Sequence, residues 1–421
     1  MNAPRRPRRA PVPCARPGPF VLAVFFSFAL AGAVLLPAAD VLASSSRVRS
    51  LGGDSGYFED DSNVLRWYGS VVDYPDLVVA ELGRFDLDAA TAVPWSDRVY
   101  GQGGGLHLSF DAARRWGVGA AYVEGDQPDD IPGGAATLMW GRSFGRHAVA
   151  LAFQGTSYNR STAGDGTQLF GRAEYHHVWG AGLRSDLGES AYLDLAADVR
   201  NTQFDYVDPF RGLRYGPVEI TKGWSARARL FWRPNPRVVL VPLIGHLADI
   251  RPTYSDVLED AADLDARITR VGFGVNLLPD ADNLVLFSFE YAEGEETLRG
   301  QASPFARYAR ETRDWFTLHG RIGAESRVLA WLTVRLGIEY LRIEDEVLLL
   351  LPAVNGDDLW FARRDIFLET PVNLGLGLHF GSFTADLVVN EESPFNLGYA
   401  LTGAGRDDST TFTSITLSYG F

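Results

Sequence analysis

Apolar and polar positions alternate with a period of two along most of the chain from Leu77 to the last residue. That alternation puts one residue type on each face of an extended strand. It is cleanest at the end of the sequence. Ile415, Leu417, Tyr419 and Phe421 share one face, and Ser414, Thr416, Ser418 and Gly420 share the other. The same pattern predicts strands over Leu77–Arg84, Gly104–Phe110, Trp116–Glu124, Ala135–Phe144, His147–Tyr158, Gln168–Leu183, Ala191–Phe204 and Val218–Arg233. It continues over Val238–Ile250, Arg267–Leu278, Asn283–Glu293, Asp314–Glu325, Leu329–Ile343, Asp365–Phe380, Phe383–Asn390 and Thr411–Phe421.

The connections alternate in length. Short ones fall at Asp111–Arg115, Gly145–Arg146, Asp186–Ser190, Pro234–Arg237, Pro279–Asp282, Ser326–Val328 and Gly381–Ser382. Long ones fall at Asp205–Pro217, Arg251–Ala266, Gly294–Arg313, Glu344–Arg364 and Glu391–Thr410. Short turns at one end and long loops at the other define an outer-membrane barrel. The reading is an all-β, antiparallel transmembrane barrel of about 16 strands, with 14 as the alternative.

The two faces differ in chemistry. Leu332, Val334, Leu336, Ile338 and Tyr340 line one side of a strand, as do Val372, Leu374, Leu376, Leu378 and Phe380, and Leu193, Leu195, Ala197 and Val199. These suit lipid. Trp116, Trp179, Trp224, Trp232, Trp315, Tyr340, Phe380 and Phe421 stand near strand ends, where interfacial girdles belong. The opposite face carries Glu81, Arg172, Glu174, Asp194, Asp198, Arg200, Arg227, Arg229, Arg270, Glu290, Arg321, Arg335, Glu339 and Asp386, which are assigned to the lumen. Gly272, Gly274, Gly375 and Gly377 add room there. Both charge signs occur, so a salt-bridged interior and a selective pore are both compatible with the pattern.

Residues 1–43 read as a signal peptide: Arg5, Arg6, Arg8, Arg9 and Arg16, the apolar run Phe20 to Leu36, then Val41-Leu42-Ala43, with cleavage expected after Ala43. Removing them takes away five arginines and one aspartate and moves the net charge from −14 to −18. A chain that acidic is no nucleic-acid binder. The only cysteine, Cys14, leaves with the segment, so neither disulfide nor thiolate chemistry is expected. No later stretch has the length of a transmembrane helix. Ser44 to Asp76 is interrupted by Gly52-Gly53, Glu59-Asp60-Asp61 and Pro75, and is assigned to a periplasmic or lumenal plug, with a short helix or turn over Asn63 to Val72.

Ile415, Leu417, Tyr419 and terminal Phe421 together resemble the C-terminal signal of bacterial outer-membrane β-barrels. The resemblance implies that Tyr419 and Phe421 are read by the barrel-assembly machinery. The opening stretch, with Arg47, Leu51-Gly52-Gly53, Asp60-Asp61, Asn63 and Pro75, is similar to the start of the fatty-acid-transporter-like barrels and of related shuttle barrels of a protein secretion system. In that family Pro-Ala follows the asparagine; here it does not. The resemblance implies an N-terminal plug and sideways passage of hydrophobic substrate through the wall.

Enzymatic motifs are sparse. Gly53-Asp54-Ser55-Gly56 has the letters of a serine-protease loop without that fold and reads as a polar turn. His107, His176, His246, His319 and His379 fall at inward positions on separate strands with no Ser–His–acid spacing. His176 and His177 point to opposite faces. Asp256, Glu259, Asp260, Asp263 and Asp265 form an acidic outer loop, where oxygen ligands suit calcium or magnesium and solvation is the simpler reading. Val347–Leu351 and Phe395, Leu397, Tyr399 and Leu401 make two outer loops apolar. The expectation is an outer-membrane barrel, not an enzyme, with no cofactor. It takes up a small, hydrophobic compound passively, in contact with outer-membrane lipid and lipopolysaccharide. The alternatives are a general porin and a structural or secretion-associated barrel.

Overall fold

Alternating residues can satisfy their backbone groups in hydrocarbon only if every strand finds two neighbours. The computed structural model shows how this chain does so. It describes residues 45–52, 55–74, 76–85, 99–110, 116–125, 134–164, 167–208, 213–255, 260–300, 310–351, 359–389 and 412–421. The predicted signal peptide and its cleavage point lie outside them.

The strands are β1 (Leu77–Phe85), β2 (Val99–Ser109), β3 (Trp116–Gly125), β4 (Gly134–Phe144), β5 (His147–Gly164), β6 (Thr167–Gly188), β7 (Ala191–Asp208), β8 (Leu213–Asn235) and β9 (Val238–Ser255). They continue with β10 (Asp260–Asp280), β11 (Asn283–Gly300), β12 (Arg310–Leu329), β13 (Leu332–Leu351), β14 (Leu359–Glu369), β15 (Val372–Phe380), β16 (Phe383–Val389) and β17 (Phe412–Gly420). Neighbours pair antiparallel, and β17 pairs with β1, Tyr419 opposite Val78 and Leu417 opposite Ala80. β14 and β15 pair with the same strand, β13, in one unbroken register. They are two halves of one strand interrupted at Thr370-Pro371, so the barrel is a closed 16-strand antiparallel wall. Pro371 lacks an N–H, yet its carbonyl still accepts from the Glu339 backbone at 3.0 Å.

Inward positions are buried and outward positions exposed along the wall. On β13, Thr333, Arg335 and Gly337 are buried while Val334, Leu336, Ile338 and Tyr340 are exposed. Phe144, Trp232, Trp331, Phe380 and Phe421 ring the short-turn end; Tyr122, Tyr175, Trp179, Trp224 and Tyr340 ring the other. Trp315 departs from the girdle reading. It faces the lumen, donates to Glu296 at 3.0 Å, and leaves no room for a Cβ at Gly294.

β5 to β13 run 18–23 residues, about twice what a tilted strand needs to cross. Their outer halves stand above the membrane. This shortens the predicted outer loops. Val347–Leu351 is strand, paired with Leu359–Arg363. Asp260, Asp263 and Asp265 lie on β10 and pair with β9, not in a loop. Asp256, Glu259, Phe395, Leu397, Tyr399 and Leu401 lie outside the described residues. Alternation fades above the hydrocarbon because both faces meet water, so the pattern ends the strands too early. Among the described residues no helix is long and apolar enough to cross a membrane.

Inside the wall sits the N-terminal segment: α1 (Ser45–Ser50) and three 3-10 turns, η1 (Ser55–Tyr57), η2 (Asp61–Leu65) and η3 (Tyr68–Val72). Ser55 thus opens a short turn, while Gly53 and Asp54 lie outside the described residues. The segment contributes Leu51, Tyr57, Phe58, Val64, Trp67, Tyr68, Val71 and Val72 to one buried cluster with Met139, Phe231, Val239, Val241, Leu243 and Leu286 of the wall.

Leu336 sits on the exposed outer face of β13 between the girdles. Leu336→Arg is expected to destabilise the refolded barrel by about 2–4 kcal/mol, measured by urea titration in lipid. A loss below about 0.5 kcal/mol would place that face outside the hydrocarbon.

Candidate functional site: the plugged lumen

The inner segment is seated in glycines. The Val71 carbonyl approaches Gly117, and Val71 side-chain atoms fill the space over Gly119 and Gly141. Tyr68 lies on Gly180, and the Gly69 amide is 2.6 Å from where a Cβ of Gly182 would stand. The Tyr57 ring occupies the site over Gly272 and Gly274. Leu51 and Gly52 cover Gly323 and Gly337, and Ser50 covers Gly375. The room expected at Gly272, Gly274 and Gly375 is therefore taken by the segment itself; at Gly377 it is taken by Arg335 and Asp386. These sockets lie toward the short-turn end, so the segment closes that half of the lumen.

Ion pairs hold the rest. Asp194 accepts two hydrogen bonds from Arg184 (2.7 and 2.8 Å) and one from Arg229 (2.9 Å). Arg184 also reaches Asp73 at 2.5 Å. Arg229, with 1% of its surface exposed, donates to the Gly56 carbonyl and the Asn63 side chain and stacks on Trp67 and Phe231. Arg227 donates to the Arg66 carbonyl at 2.8 Å and pairs with Asp198 at 3.4 Å. Arg200 stands 4.0 Å from Asp198. On the other side, Arg47 forks onto Glu325 (2.8 and 2.9 Å) and reaches Asp60 at 3.2 Å. Arg335 links Glu325 to Asp386. Tyr57 donates to Glu290 at 2.9 Å. Arg321 contacts His319 at 2.5 Å, and His319 lies 2.9 Å from Glu339, which also accepts from Asn373. Arg270 faces inward between Ile268 and Gly272, opposite Ala292. Arg172 and Glu174 lie on β6 where its side chains are not described.

Arg184, Arg227, Arg229, Glu290, Arg321 and Glu325 thus meet the plug, and Asp194, Asp198, Arg335 and Asp386 are buried in pairs with other wall residues. Paired charges in such a setting roughly break even with apolar packing, but removing one partner costs about 3–5 kcal/mol. The sequence reading names Arg47 and Asp60 in a plug segment but not their partners, and Tyr57, Trp67 and Asp73 escape it, because irregular segments carry no periodicity. A legible signal did exist: glycines two apart on inward positions (Gly117/Gly119, Gly180/Gly182, Gly272/Gly274, Gly375/Gly377) mark where another backbone comes close.

The histidines bond to neighbouring wall and plug groups. His107 lies 3.3 Å from the Tyr74 carbonyl, His176 bonds Thr202, and His379 bonds Thr333. His246 faces lipid, not the lumen: the buried positions of β9 are Val239, Val241, Leu243, Leu247 and Asp249, and His246 alternates with them. It bonds Thr269 at 3.1 Å and packs on Trp224. His147 and Ser185 pair at 2.9 Å, with Ser185 buried. Among the described residues no cluster of histidine, aspartate and glutamate could hold a metal.

The site is a barrel closed from within, and its wall, apolar outside and ringed by aromatics at both ends, has the architecture of an outer-membrane β-barrel. Among solved structures the chain is similar to a TodX monoaromatic hydrocarbon channel deltaS2 mutant (12% identity, 91% of this chain and 100% of that chain, TM-score 0.41). It is also similar to the CymD monoaromatic hydrocarbon channel (10% identity, 91% and 99%, TM-score 0.42) and to CdiB from Escherichia coli (10% identity, 82% and 63%, TM-score 0.42). No protein family and no curated protein matches the sequence.

Gly272→Val would occupy the socket of Tyr57; the barrel should fold with normal heat-modifiable mobility while the plug becomes protease-sensitive. Burial pushes the Asp60 carboxyl up to about 6 against the pull of Arg47, and burial beside Asp60 raises Asp61 as well. Both lie above the ordinary carboxylate value of about 4, so the seated plug favours the protonated acids. Seating is strongest below that value and weakens as pH rises through about 6. Plug cleavage should therefore rise between about pH 5 and about pH 7.5, and Asp61→Asn should flatten the rise; an unchanged slope in that variant refutes the assignment.

Proposed function

We propose that this protein carries small hydrophobic compounds passively across the outer membrane through a barrel gated by its N-terminal plug. The observation that carries this reading is the plug itself, keyed into wall glycines and held by reversible ion pairs. A general porin has no use for a keyed closure. Apolar inward residues support hydrophobic cargo: Leu243, Leu247, Ile268 and Ala292 stand on the lumen side of β9 to β11, with Trp315 and Ile343 beside them. Where β14 gives way to β15 at Pro371, Phe367 faces inward with 47% of its surface exposed, and Ile366 and Leu368 face outward, more exposed still. That run offers an apolar route from lumen to membrane. Tyr419 and Phe421, outward on the final strand, suit a role as assembly signal, and residues 1–43 suit export through a cleaved leader.

Reconstituted in planar bilayers, the mature chain should be silent with brief openings, and deletion of residues 45–74 should give steady conductance. In a Gram-negative host, expression should speed uptake of N-phenyl-naphthylamine without increasing sugar permeability in liposome swelling. Phe367→Glu should cut that uptake severalfold with the barrel folded. Steady open steps from the intact chain would make it a diffusion pore.

A further inference from the structure

Among the described residues the membrane face of the wall is uncharged from the short turns up to the upper girdle, with one exception. Among the described residues only Arg142 places a charge there. It lies on β4 in phase with Leu138, Trp140 and Phe144, all exposed, while Met139 and Gly141 between them face the plug. The Gly145-Arg146 turn begins three residues later, at the end of the barrel that holds the other short turns and Phe421. That height is the boundary of the periplasmic leaflet.

Its surroundings are built for a cation. Arg142 stands directly opposite Trp116 on β3. The guanidinium carbon lies 4.2 Å from the centre of the Trp116 ring and 4.7 Å from that of Phe144. Trp116 in turn leans on Trp140 at 5.4 Å. Among the described residues Arg142 makes no ion pair. Stacking occupies the flat faces of a guanidinium and leaves its N–H edge, whose fork matches a phosphate. Leu138, Trp140 and Leu151 continue the exposed surface toward the bilayer centre.

We propose that Arg142, cradled by Trp116 and Phe144, is a binding site for the phosphate of a phospholipid in the periplasmic leaflet. The acyl chains of that lipid run along Leu138, Trp140 and Leu151. The membrane is the source of phosphate because the cradle opens onto lipid, not onto the lumen.

The test is native mass spectrometry of the mature barrel, refolded in detergent with phosphatidylglycerol. The wild type should retain one lipid through collisional activation. Arg142→Gln should lower that retention at least fivefold, and Arg142→Lys, which keeps the charge but loses the fork, should fall between. Diacylglycerol of the same chain length should not be retained. Folding is checked by heat-modifiable mobility. Should Arg142→Gln not fold, Trp116→Leu removes the cradle and is expected to lower retention as well. Undiminished retention in the folded variants, retention of diacylglycerol, or preference for lipid A over phosphatidylglycerol would each overturn the proposal.

Discussion

Everything in this molecule depends on the demand that backbone groups in hydrocarbon find partners. That demand closes β17 onto β1 and makes a hollow wall of sixteen strands. A wall of that circumference encloses space, and space lined with arginine and aspartate must be filled with water or with protein. The chain fills it with the segment that precedes β1. Fold and site are consequences of one constraint: the closure that excludes lipid creates the lumen, and the lumen calls for the plug.

The plug is held by two kinds of force with different character. Burial of side chains such as Trp67, Tyr57, Leu51 and Val71 stabilises by about 1.5–3 kcal/mol each and does not depend on pH. The ion pairs Arg47–Glu325 and Arg184–Asp194 add little net energy but fix one seat among many. A segment held mostly by shape and charge, with no strand of its own in the sheet, can leave without unzipping the wall.

Most of the wall was legible in the sequence because a lipid-facing strand has little freedom. The alternation of Leu332 to Tyr340 and of Ile415 to Phe421 follows directly from having hydrocarbon on one side. Legibility ended where that contrast ended. The outer halves of β5 to β13 meet water on both faces, so strand looked like loop. Trp315 was misplaced because a tryptophan near a strand end suits a girdle and a lumen equally well; only the glycine beneath it decides. His246 was misplaced because its neighbours Gly245 and Ala248 mark neither face. Within the site, the wall half could be read, and the plug could be read as a segment but not by its contacts, since irregular turns are organised by contacts distant in sequence.

One of those contacts bears on the order of events in biogenesis. Ser46, in the first helix, bonds Ser414 and Thr416 on β17, and the Phe421 amide bonds the Asp76 carbonyl. The segment that precedes β1 therefore docks on the strand that closes the barrel against β1. The plug cannot be finally seated before β17 has been inserted. A barrel that lacks this strand is thus left uncorked, and a seated plug is evidence that the wall has closed.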